Sequence, residues 1–89
     1  MAADTDSLIS YPCDFPIKVM GPNAPGFVDA MCFLAQQFDT GWRAESLEQR
    51  ESKGGKYLGL TLTLHVHSRE QLDEVYRTLS SHPMVKVVL

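Results

Sequence analysis

The chain has 89 residues, of which 44% are apolar and 21% charged, and its net charge is −3. That length makes one domain, able to bury about 60–65% of its unfolded surface. The negative balance argues against a polyanionic partner, which draws on clustered Lys and Arg, and no apolar run nears the ~20 residues that span a membrane.

Met1–Ser10 carries Asp4 and Asp6 and has neither a basic stretch nor an apolar one, so it does not read as a secretory leader. Residues 1–11 are expected to be a flexible tail and residues 12–89 the folded domain. Phe15–Met20 alternates as a strand, with Phe15, Ile17 and Val19 on one face and Lys18 and Met20 on the other. Pro12 and Pro16 suit a strand's beginning, where a ladder donor is least missed. Gly21–Gly26 is a turn cluster in which Asn23 or Ala24 caps the next helix and Pro25 fills its first turn. Phe27, Met31, Leu34, Ala35 and Phe38 then recur at helical spacing, and Gly41 turns the chain after them.

Trp42–Ser52 is polar and weakly alternating, as suits an edge strand guarded by charge, with Trp42 fastening its start. Ser52–Lys56 reads as a hairpin turn. Leu58, Leu60, Leu62, Leu64 and Val66 alternate with Tyr57, Gly59, Thr61, Thr63 and His65, the mark of a half-buried strand. Ser68 and Gln71 form a capping box, and Leu72, Val75, Tyr76 and Leu79 make the apolar stripe of a second helix. His82-Pro83 ends it. Val85, Val87 and Leu89 open a last alternation, which leaves Met84, Lys86 and Val88 facing the other way.

Right-handed crossovers set the strands that flank each helix parallel, with room for one strand between them. Two interleaved units give an α+β, ferredoxin-like β-α-β-β-α-β sandwich. Its four-stranded antiparallel sheet has the order 4-1-3-2, with both helices on one face.

Several phrases carry a family resemblance. They are Phe15-Pro16-Ile17-Lys18-Val19-Met20-Gly21, the Ser-Lys-Gly turn at Ser52–Gly54, the helix start at Ser68–Leu72, the Tyr76-to-Leu79 step and the ending Val85-Lys86-Val87-Val88-Leu89. Together, from about Pro12 to Leu89, they resemble the YbeD-like bacterial proteins of unknown function. That resemblance implies a ferredoxin-like fold similar to the small-molecule-binding ACT regulatory domains, and a loose association with lipoate metabolism. The chain departs from the common pattern at Gly54-Gly55-Lys56, where its hairpin has two glycines.

The expected topology gathers two sets of candidate residues. At the start of the first helix, free N–H groups and a partial positive charge favour an anion. Gly21, Asn23, Gly26, Lys53, Lys56 and His82 are the candidates there for a small anionic metabolite, as in an ACT-like effector binder. The bland alternative is that they only turn the chain. The helix-free face presents Lys18, Met20, Tyr57, Met84, Lys86 and Val88, with Thr61, Thr63 and His65, as a face for a protein partner or a second copy of the chain. An edge strand could also take a partner strand. RNA is disfavoured, because only Tyr57 offers a stacking ring on the central strands.

His65 and His67, with Cys13 alongside, lack the remaining ligands of a metal site, so no metal or cofactor is expected. Cys13 and Cys32 have no CxxC spacing and suit a reducing cytoplasm, with Cys32 packed and inert. Ser and Cys stand apart from any general base by motif, so the domain reads as non-enzymatic and regulatory. The leucine row should be the heart of the core. Leu62→Ala is expected to cost about 2–5 kcal/mol in denaturant melts; a loss below ~1 kcal/mol would mean that the opposite face points inward.

Overall fold

Alternation in one strand organises the molecule. The computed structural model describes residues 10–89, so nearly all of the expected tail lies outside the described residues; Tyr11 packs against the core. The elements are β1 (Cys13–Pro22), α1 (Pro25–Phe38), a 3-10 turn (Ala44–Ser46), β2 (Glu48–Glu51), β3 (Tyr57–Val66), α2 (Arg69–Ser81) and β4 (Val87–Val88). Every even residue of β3 from Leu58 to Val66 is buried, and every odd one is half-buried. Both helices cover the even side. Phe27, Met31 and Ala35 of α1 and Leu72, Val75 and Leu79 of α2 close over the leucines, with Ile17 and Val19 of β1 beside them.

The sheet is antiparallel in the order β2-β3-β1-β4, the expected one. β1 and β3 pair along their whole length, from Cys13 opposite Val66 to Pro22 opposite Tyr57. Ser68 Oγ accepts the Gln71 N–H at 3.1 Å, as in a capping box. The return bond falls one residue early, since Gln71 Oε1 accepts from His67 N–H rather than from Ser68. Gln71 Nε2 also donates to Phe38 O, which ties the end of α1 to the start of α2. Ala24 is the residue that precedes α1, without a side-chain cap, and Pro25 fills its first turn.

Two stretches differ from expectation. β2 begins only at Glu48, because residues 43–47 close local turns: Ser46 N–H and Oγ donate to Arg43 O, and Leu47 N–H to Ala44 O. Such bonds compete with a ladder. Asp39 takes the place of the missing strand by accepting the His65 N–H at 3.0 Å. Trp42 is buried, although it stands before this turn rather than at a strand start.

The second difference is the parity of β4. Val88 lies opposite the buried Val19, and Val87 opposite Met20. Val88 therefore packs on the helix side, and Met84, in the turn before β4, packs against the core beside Gly21 and Gly26; neither lies on the open face, where both were expected. Lys86 N–H donates to the carbonyl of Met20, the residue opposite Val87, so Lys86 and Val87 share one partner residue. This is the behaviour of a bulge, which shifts the alternation by one position. Val85 and Val88 thus both touch the core, while Val87 and Leu89 turn outward.

Gly21 is fixed by close packing. A Cβ there would stand 2.5 Å from the Phe27 ring and 2.6 Å from the Met84 carbonyl oxygen. Gly21→Ala is expected to destabilise by about 1–3 kcal/mol through overpacking. Thermal and denaturant melts check this, and an unchanged midpoint would contradict the packing.

Candidate functional site: the open sheet face

The side of the sheet away from the helices carries the odd residues of β3, their partners on β1 and β2, and the outward residues of β4. Across its middle run Arg50, Gly59, Met20 and Val87, and beside them Glu48, Thr61, Lys18 and Leu89. Gly59 has no side chain, so this row dips at its centre. The dip opens a concavity of about 540 Å³ lined by Lys18, Met20, Glu48, Arg50, Val87 and Leu89 among others. Three of its apolar side chains are well exposed: Met20 at 39%, Val87 at 43% and Leu89 at 71%.

Tyr57 lies at one end of this face. The ammonium groups of Lys56 and Lys86 sit 5.7 and 5.5 Å from the centre of its ring. Both distances suit a cation held by the ring's negative π face. At the other end Asp14 lies opposite His65, and its Oδ1 meets His65 Nδ1 at 2.9 Å. The His67 ring stands edge-on to His65 with centroids 5.0 Å apart. Cys13 does not approach these histidines, because it is opposite Val66 and packs on the helix side. Among the described residues no three His, Cys, Asp or Glu side chains group to hold a metal ion.

Of the expected partner-face residues, Lys18, Met20, Tyr57 and Lys86 come together here, as do Thr61, Thr63 and His65. Met84 and Val88 do not, and Val87, Leu89 and Arg50 belong instead. Arg50 could have been found from hairpin pairing, which sets it opposite Gly59. Val87 and Leu89 depend on the bulge.

The anion-site candidates do meet at one end of the molecule, each in a local role. Asn23 Nδ2 donates to Gly55 O at 2.8 Å, and Asn23 N–H to Lys56 O. Gly54 and Gly55 take the positive φ values of +90° and +74° that the hairpin turn requires. The Met84 methyl faces Gly26, and His82 Nδ1 accepts the Met84 N–H. Lys53 is exposed on the turn, and Lys56 reaches to Tyr57. Pro25 has no N–H, and the Phe27 N–H is already bonded to Ala24 O.

A family model described as "Protein of unknown function (DUF493)" matches residues 6–89. The chain belongs to the DUF493 family. A "UPF0250 protein" of Paraburkholderia phymatum is 53% identical over 89 residues, the whole of both chains. Another, of Leptothrix cholodnii, is 58% identical over 83 residues, covering 93% of this chain and 91% of the relative. A third, of Bordetella pertussis, is 56% identical over 84 residues, with 94% and 92% covered. The YbeD-like resemblance of the motifs is thus the family relationship, and the DUF493 name assigns no chemistry.

No described helix is long and apolar enough to cross a membrane. Burial, and then Asp29, push the Cys32 thiol above its ordinary range, which keeps it protonated and a poor nucleophile at neutral pH. In a Cys13→Ser variant, iodoacetamide should label Cys32 more slowly than a free thiol at neutral pH. Its rate should reach half-maximum above the usual thiol value of about 8.5. A half-maximum at or below that value would contradict the partly buried setting beside Asp29.

Proposed function

We propose that this protein is a non-enzymatic, cytoplasmic regulatory or adaptor domain that binds a protein partner through its open sheet face. The observation that carries this reading is the concavity over Gly59, walled by exposed Met20, Val87 and Leu89 and by Arg50 and Lys18. Exposed apolar groups ringed by polar ones favour association, since covering them removes apolar surface from water. Tyr and Arg are side chains that often dominate binding energy, and Tyr57 and Arg50 stand on this face. The protonated Cys32 thiol and the solvent-exposed setting of the Asp14–His65 pair also support a binding role over a catalytic one. The association with lipoate metabolism implied by the resemblance names a first set of partners to test.

The ACT-like reading, an anionic metabolite at the start of α1, gains less from the geometry. Gly21 is packed under Phe27 and Met84, and Asn23 and His82 are already hydrogen-bonded within the fold.

Met20→Glu combined with Val87→Glu should lower the melting midpoint only modestly and leave the protein folded, because both side chains already reach water, although as an opposed pair the two glutamates repel. The same variant should lose any protein retained by the wild type in affinity capture from its host. Gly59→Val is the control that fills the dip without new charge: a Cβ there meets only the Arg50 carbonyl at 3.5 Å. Wild-type retention of the same protein by both variants would refute the open face as the binding surface.

A further inference from the structure

The open face is charged in a way that the chain as a whole is not. The protein has a net charge of −3, yet this side carries the cations Lys18, Arg50, Lys56 and Lys86 against two carboxylates, Glu48 and Asp14. Among the described residues, Asp14 meets His65 at the far end of this face, and Arg69 pairs with Asp73 on α2, away from it. None of the four cations has a carboxylate within ion-pair distance among the described residues. Two of them converge on the single Tyr57 ring. Gathering like charges is unfavourable until an opposite charge arrives, and a face with an excess of one sign concentrates ligands of the other, here with Glu48 as the one carboxylate side chain that lines the concavity beside Lys18 and Arg50. Glu48 is the carboxylate nearest the middle of the face, and it pairs across the sheet with Thr61 rather than with a cation.

We infer that the occupant of this face is an acidic segment of a partner protein, with its carboxylates over Lys18, Arg50, Lys56 and Lys86 and its apolar side chains against Met20, Val87 and Leu89. The inference rests on the open face being the docking surface and adds the chemistry of what docks there. Charge complementarity selects the occupant, because the face offers cations and apolar side chains side by side. A polynucleotide fits less well. Its phosphates continue past the cations to the Asp14 end. Its bases would find Tyr57, which already has two ammonium groups against its ring, and His65, which is held by Asp14 and edge-on to His67.

The test is fluorescence anisotropy with three labelled probes: a short peptide alternating glutamate with leucine, its lysine-for-glutamate counterpart, and a poly-uridine RNA. The acidic peptide should bind and the basic one should not. Binding should weaken as salt rises, since the cations are exposed. Lys18→Glu combined with Lys86→Glu should lower affinity at least about tenfold, by replacing attraction with repulsion, and Arg50→Gln should lower it less. Sedimentation of the free protein accompanies the titration.

Equal binding of both peptides, or tighter binding of the RNA, would overturn the inference. So would a self-associated dimer that the Lys18→Glu, Lys86→Glu pair breaks. Partner capture lost in the Met20→Glu, Val87→Glu variant but kept in the double lysine variant would also overturn it, while leaving the face as the docking surface. Capture kept in all of these variants would remove the face itself.

Discussion

Everything in this fold follows from the burial of one row of side chains. Leu58, Leu60, Leu62, Leu64 and Val66 share one side of β3, and a strand's period of two leaves no freedom about the other side. A sheet this small has two helices with which to cover its apolar row, and both lie on that row. The residues between the leucines must then face outward. Tyr57, Gly59, Thr61, Thr63 and His65 are therefore presented together because the leucines are hidden together. The candidate site is the reverse side of the core.

That coupling explains why one glycine matters so much to the site. Gly59 lies on the central strand between Arg50 and Met20 and leaves the face concave where any side chain would fill it. The edges of the concavity come from strands that end early. β2 has four residues and β4 two, so the rim is built from Arg50 on one side and Val87 and Leu89 on the other. Asp39 seals the edge of β3 beyond β2 by accepting the His65 N–H, which removes a free donor there. The remaining exposure is on the face.

Much of this was legible in the sequence, and the reason is local. The leucine alternation, the Ser68 cap and the Gly54-Gly55 turn each depend on residues a few positions apart, so pattern reading reaches them. Strand order then follows from handedness and chain length. The features that depart from the pattern rest on bonds between distant or competing groups. The start of β2 was misplaced because Arg43 and Ser46 close a turn of their own. The parity of β4 was reversed because Lys86 and Val87 share Met20 as a partner; nothing in Met84–Leu89 marks the extra residue. The Asp14–His65 pair was missed, although the register that links Asp14 to His65 is implied once Ile17 is set opposite Leu62.

The bulge in β4 has a functional weight beyond its two residues. With regular alternation, Val88 would face outward and Val87 inward, and the apolar rim of the concavity would move. With the shift, Val87 and Leu89 flank Met20 while Lys86 still reaches Tyr57. The direct measurement is side-chain methyl NMR with a soluble paramagnetic probe. Strong relaxation is expected for Met20, Val87 and Leu89, and little for Leu58, Leu60, Leu62, Leu64 and Val88. Val88 relaxing like Leu89 while Val87 stays protected, or a leucine row open to the probe, would contradict the one-sided burial on which this account stands.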